Sequence, residues 1–192
     1  MKNILEDFIR ASVKDPKEQE IKTILTIFEE KTFKKGEFFK EPFTIGKEFG
    51  FLVEGKVRQI FYKEDGEEIT LRLLQENSFI ADVFSIRNNQ NTPIGIECLD
   101  DVSMLVAPIE KFNKLLDTNL ALNILIREYT VNRATEMGRN YLLFLTGNAT
   151  DRYQFIVDNN PDLLEKFPLQ FIASIIGVTP TQLSRIRNPK KA

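Results

Sequence analysis

The chain has 192 residues, 42% hydrophobic and 28% charged, with a formal net charge of −2. That is enough for one large or two small soluble domains. One cysteine and no histidine exclude an internal disulfide and any cysteine-built metal or iron–sulfur site. They also remove the commonest haem ligand and the commonest general base, so no metal site and no enzymatic activity are expected. No apolar run approaches membrane-spanning length, and Glu6 and Asp7 come too early for a secretory signal, so the expected location is the cytoplasm.

Ile4, Leu5, Phe8 and Ile9 suggest a short first helix. Asp15-Pro16-Lys17-Glu18 reads as a second helix start, with Asp15 as N-cap and Pro16 at the first position. Ile21, Ile24, Leu25 and Phe28 carry that helix to about Glu30. From Phe33 to about Pro108 the character changes. Glycines recur at 36, 46, 50, 55 and 66 among frequent Phe, Val, Ile and Tyr. Val57 to Tyr62 and Ile69 to Leu74 alternate on either side of Asp65-Gly66, a hairpin signal. Ile94–Leu99 and Val102–Ala107 read as two further strands, with Asp100-Asp101 as turn residues between them. Short, regularly spaced strands predict a sandwich, roll or barrel. Cys98, inside a predicted strand, is expected to be a buried small hydrophobe.

Helix resumes from Ile109 to Leu116. A long helical stretch free of proline then runs from about Asn119 to Thr146. Ile124, Val131, Ala134, Gly138, Tyr141 and Leu145 form a seam at largely three- and four-residue spacing, suited to pairing with a second copy. Ala134 and Gly138 would let two backbones approach closely. The same stripe could instead pack on the protein's own strands. Gly147-Asn148-Ala149-Thr150 is the expected hinge, with Thr150 capping a helix to about Asn159, and Pro161–Phe167 forms another short helix.

The last segment has the layout of a helix-turn-helix. Ile172, Ala173 and Ile176 share one face, Gly177 can take the positive φ of a tight turn, and Leu183 and Ile186 make a second stripe. Thr179-Pro180-Thr181-Gln182 is a start signal for the second helix: N-cap, first-position proline and capping-box partner. From Lys166 onward there are five basic residues and no acidic one, so residues 1–165 carry −7. A basic tail on an acidic body is the electrostatic footprint of an end that binds phosphates.

With this order of helix, roll, long helix and helix-turn-helix, the chain resembles the Crp/Fnr family of bacterial transcription regulators, in particular short Bacteroidetes-type members. The resemblance rests on Phe33–Phe39, Leu52–Arg58, Asp65–Leu71, Asp151-Arg152-Tyr153 and, most specifically, Ile172–Arg187. It implies an α+β fold. Residues 1–117 would form a cyclic nucleotide-binding-like β-roll with flanking helices. Residues 118–147 would be a dimerisation helix and hinge, and 148–192 a winged-helix-like helix-turn-helix domain, although little chain remains after Asn188 for a wing. It further implies a homodimer on double-stranded DNA, with RNA polymerase as a candidate further partner and no membrane contact. Dimerisation falls on Val131, Ala134, Gly138, Tyr141 and Leu145.

The family's base-reading positions fall on Pro180, Thr181, Ser184 and Arg185, and Arg185 is the leading candidate because a guanidinium can take guanine O6 and N7 together. Thr179, Thr181, Gln182 and Ser184 offer further hydrogen bonds, and Arg187 and Lys190 are candidate phosphate contacts. In the roll, cyclic-nucleotide-binding members carry a Gly-Glu pair and, about ten residues on, Arg-Ser or Arg-Thr. Ala81-Asp82 and Thr92-Pro93 stand there instead. Thr92 carries no charge and Pro93 no N–H, and Arg87 is the nearby cation, in the wrong register. No tight binding of cyclic AMP and no cofactor are expected, while a small apolar or acidic ligand stays open. The competing reading is a sensor or protein-interaction module with the same roll and no specific DNA binding.

Overall fold

The computed structural model describes residues 1–188. Lys2–Ser12 forms helix α1 and Glu18–Ile27 forms α2. α2 starts later than expected: Asp15 turns back with φ 50°, and Lys17 is the N-cap, its N–H held by the Glu20 carboxylate at 3.2 Å. It also ends earlier, at Ile27. Phe28 turns extended (φ −95°, ψ 132°) and buries, and the following residues leave the helix to pair with a strand.

The described residues contain eight strands: β1 (Glu29–Phe33), β2 (Phe38–Lys40), β3 (Glu48–Glu54), β4 (Val57–Tyr62), β5 (Glu68–Leu74), β6 (Ser78–Ile80), β7 (Ile94–Cys98) and β8 (Val102–Pro108). They form two antiparallel sheets in the orders β1-β8-β3-β6 and β2-β7-β4-β5. The pleat sorts the side chains. Val102, Met104 and Val106 of β8 meet Leu52, Val57, Leu74, Ile80, Ile96 and Cys98 between the sheets. Leu105 and Ala107 point the other way, with Phe51 and Val53, into a second core. Full burial of each of these valine, leucine, isoleucine, phenylalanine and methionine side chains stabilises the fold by about 1.5–3 kcal/mol.

Two turns carry the sharpest demands. Gly55 lies at φ 94°, where a Cβ would stand 2.6 Å from the Asp101 carbonyl oxygen. The Asp65-Gly66 hairpin forms, but simple alternation along β5 breaks. Gln59 faces Arg72 and Ile60 faces Thr70, so Leu71 bulges outward and is exposed.

The second core is closed by α1, α2, α4 (Ile109–Thr118) and the start of α5 (Leu120–Thr146). Asn119 caps α5, its Oδ1 accepting the Leu122 N–H at 2.9 Å. At 27 residues the helix is about 40 Å long. Ala121, Leu122 and Leu125 are buried, and the helix then leaves the core. The seam therefore divides: Ile124 packs on the protein's own core, while the residues from Val131 onward do not.

α6 (Ala149–Asn159), α7 (Pro161–Lys166), α8 (Leu169–Ile175) and α9 (Pro180–Arg187) complete the chain. Asn148, not Thr150, caps α6: its Oδ1 accepts the Thr150 and Asp151 N–H groups at 2.8 and 3.2 Å, and the Asp151 carboxylate accepts the Asn148 N–H at 2.8 Å. The winged-helix-like expectation holds for the helices alone, since residues 148–188 contain no strand to form a wing.

Candidate functional site

α8 and α9 meet through the expected turn. Gly177 lies at φ 70°, and the Val178 N–H bonds back to the Ala173 carbonyl at 3.0 Å, closing α8. Ala173 is fully buried where the helices cross. Thr179 Oγ1 accepts the Gln182 N–H at 3.2 Å and Gln182 Oε1 accepts the Thr179 N–H at 2.8 Å, a complete capping box. Leu183 buries against Ile172, Ala173 and Ile176. On the other side Thr181, Ser184, Arg185 and Arg187 are exposed, with Thr181, Ser184 and Arg185 on one face by their three- and four-residue spacing. Thr179 and Gln182 are thus held by the cap. Lys190 lies outside the described residues.

The helix-turn-helix does not stand free of the roll. Leu73 of β5 is part of the same core as Ile156, Phe167, Ile172, Ile176 and Leu183. Arg58 of β4, pinned by Glu68 and Glu97 at 2.5 and 3.0 Å, lies 4.3 Å from the ring centroid of Phe171 in α8. One turn on, Ser174 Oγ accepts the backbone N–H of Thr70 at 2.8 Å. β5 is an edge strand, so α8 covers an edge that would otherwise be open.

The roll segment expected to face an effector holds an internal ion pair. Asp82 caps α3 (Val83–Asn88), its Oδ1 accepting the Ser85 N–H at 3.1 Å. Its other oxygen accepts the Thr92 hydroxyl and lies 3.0 Å from Lys40 Nζ. The Lys40 ammonium also donates to Thr92 Oγ1 at 2.8 Å and the Ile94 carbonyl at 2.7 Å. The Lys40 and Asp82 side chains are 5% and 1% exposed. The cation in this site is therefore Lys40, brought from β2; Arg87 is exposed on α3. Ala81 and Pro93 are half-buried and Thr92 is buried. An open cleft of about 390 Å³ lies alongside, lined by Phe39, Lys40, Thr44, Lys47, Asp82 and Pro108 among others.

Tyr129 of α5 ties the roll to the long helix. Its hydroxyl donates to the Phe79 carbonyl of β6 at 2.8 Å and accepts from Arg72 of β5 at 2.7 Å. Burial pushes the Arg72 guanidinium below its ordinary range. Beyond Tyr129, α5 carries a bare apolar stripe: Val131, Tyr141 and Leu145 are 54%, 65% and 64% exposed, Ala134 is exposed, and Gly138 has open space where a Cβ would stand. Leu142 and Met137 add to it. Cys98 is buried between the sheets, and desolvation there pushes its thiol up to about 12. Asp100 and Asp101 tie down turns by binding Lys56 and Lys34.

Residues 30–119 match the family model for a cyclic nucleotide-binding domain. No curated protein matches the chain in sequence. Among solved structures, a CooA mutant from Carboxydothermus hydrogenoformans superposes with a TM-score of 0.72 at 19% identity, covering 88% of this chain and 78% of that one. FixK2 from Bradyrhizobium japonicum gives 0.71 at 15%, covering 85% and 84%. The c-di-GMP-responsive global regulator CLP of Xanthomonas campestris, which links cell–cell signalling to virulence gene expression, gives 0.67 at 15%, covering 90% and 91%. The fold, from roll through long helix to helix-turn-helix, is that of the Crp/Fnr-type regulators.

Proposed function

From a cyclic nucleotide-binding-type roll joined to a helix-turn-helix in this arrangement, we propose that the protein is a homodimeric DNA-binding transcription regulator. It reads a pseudo-palindromic site with half-sites about one helical turn apart, and cyclic AMP does not control it. The observation that carries this reading is α9 itself: a capped helix, buried on one side through Leu183, with Thr181, Ser184, Arg185 and Arg187 exposed on the rest. Arg185 reads a base edge, and Thr181 and Ser184 flank it. Arg187 and Lys190 take phosphates. Thr179, whose N–H and hydroxyl both donate to Gln182 Oε1, holds the helix start in shape, and Gln182 offers its side-chain amide N–H to the backbone of the DNA.

The bare stripe from Val131 to Leu145 supports the dimer, because exposed leucine and tyrosine side chains at heptad-like spacing gain most by pairing with a second copy. The Asp82–Lys40 pair supports independence from cyclic AMP, since both groups are already satisfied within the chain. Arg185→Ala tests the reading. It should weaken sequence-specific DNA binding and leave the dimer intact. An unchanged affinity would favour the alternative, a sensor or protein-interaction module without specific DNA binding.

A further inference from the structure

Every polar group of the Lys40–Asp82–Thr92 cluster has a partner inside the chain. The three ammonium protons of Lys40 have Asp82, Thr92 and the Ile94 carbonyl as acceptors. Asp82 is spent on Lys40, Thr92 and the Ser85 N–H. Ser85, fully buried, accepts the Gly46 N–H at 3.0 Å and donates to the Gln90 carbonyl at 2.8 Å, which ties α3 to both flanking loops. Among the described residues, the buried side-chain polar atoms without a partner are Thr70 Oγ1 and Gln75 Oε1, and neither lines this cleft. A buried ion pair of this kind is costly to break from either side, because one charge is then left alone in a dry site.

The cluster is also joined to the reading unit by short steps. Asp82 follows β6, whose Phe79 carbonyl holds the Tyr129 hydroxyl. Tyr129 holds Arg72 of β5, and two residues before Arg72 the Thr70 N–H holds Ser174 of α8. Arg58 stacks on Phe171 beside it. In this docked arrangement Thr181, Ser184, Arg185 and Arg187 stay exposed.

We infer that the Lys40–Asp82–Thr92 network takes the place of a small-molecule effector and, through Tyr129 and β5, holds α9 in one DNA-competent posture without any ligand. This rests on the regulator reading above and adds how that regulator is set. A ligand that meets a single posture has no second state to favour, and so shifts nothing.

The test uses the full chain, dialysed free of small molecules, and a duplex recovered from random DNA by its binding. Affinity is measured alone and with cyclic AMP, cyclic GMP or cyclic di-GMP. The inference expects tight binding without additive, altered by less than about twofold by any of the three. A gain of about tenfold or more with any of them overturns it. Lys40→Met is expected to lower DNA affinity by about tenfold or more with the dimer retained. Thr92→Val, which keeps both charges paired, should lower it in the same direction by less and serves if Lys40→Met does not fold. Wild-type affinity in a folded Lys40→Met protein, or in Thr92→Val where Lys40→Met does not fold, overturns the inference. Absence of DNA binding under every condition refutes the regulator reading itself, and the inference falls with it.

Discussion

Phe171 of α8 lies on Arg58 of β4, 4.3 Å from guanidinium carbon to ring centroid. Glu68 and Glu97 hold that guanidinium in place, so the first helix of the helix-turn-helix rests on a fixed cationic plate of the roll. Cation–π contacts of this kind contribute about 0.5–2 kcal/mol. A double-mutant cycle of Arg58→Met and Phe171→Ala should show a coupling of that size in thermal or denaturant unfolding, about 0.5–2 kcal/mol. Additive single effects would show that the two units merely lie near each other.

The buried Lys40–Asp82 pair makes a larger stability prediction. Lys40→Met leaves Asp82 without its cation in a site where its carboxylate is 1% exposed. The expected loss is about 3–5 kcal/mol, read as a lowered denaturant midpoint at unchanged slope. Thr92→Val removes one hydroxyl and should cost about 1–3 kcal/mol. A Lys40→Met protein as stable as the wild type would mean that the pair is not buried as described.

Arg185→Ala should cost about 1–3 kcal/mol in binding to the preferred duplex, roughly 5- to 150-fold, and relax the preference at one position of each half-site. Arg187→Ala should act differently. It should weaken binding to all duplexes alike and reduce the salt slope by about one. Electrophoretic or anisotropy titrations at several salt concentrations separate the two roles.

Leu145→Arg places a charge in the bare stripe of α5, next to Tyr141 and Leu142 on the same exposed length of helix. Sedimentation should then show a monomer at concentrations where the wild type is a dimer, with helix content unchanged. A dimer that survives both Leu145→Arg and Val131→Arg would place the interface elsewhere.

Cys98 sits between the sheets, and desolvation raises its thiol from 9.0 to about 12. Because the folded value is the higher one, its contribution to stability is complete below about pH 9 and is lost as pH rises from there toward about 12. The native protein should resist alkylation at pH 8 and react at the rate of a free thiol only after unfolding. Rapid labelling of the native state would contradict its burial.

What could be read in the sequence was local. Gly177, Thr179 and Gln182 act within a few residues of one another, and the turn and cap they signal are the ones observed. The Asp65-Gly66 hairpin was legible for the same reason. α2 starts later than its sequence implies because an Asp-Pro pair suits both a helix start and the tight turn before one, and the chain turns at Asp15. It ends earlier because Glu29 and Glu30, helical in composition, take their backbone from pairing with β8. Lys40 could not be found as the partner of Asp82 and Thr92. It lies 42 residues before Asp82, and only the pairing of β2 with β7 brings it to Thr92. The docking of α8 on β5 was equally hidden, since Leu73 reads as an ordinary strand residue until the far end of the chain packs against it. Arg87 is near Asp82 in sequence but exposed on α3, whereas strand pairing brings Lys40 to Asp82 from β2.

Whether α9 reads DNA is decided by selecting duplexes from a random pool with the full chain. A pseudo-palindrome with half-sites about one helical turn apart should be enriched. Its affinity should fall steeply with salt, by a log–log slope of about −0.9 for each phosphate contacted. A pool that emerges without a common sequence, with no salt-dependent affinity for any duplex, would contradict it.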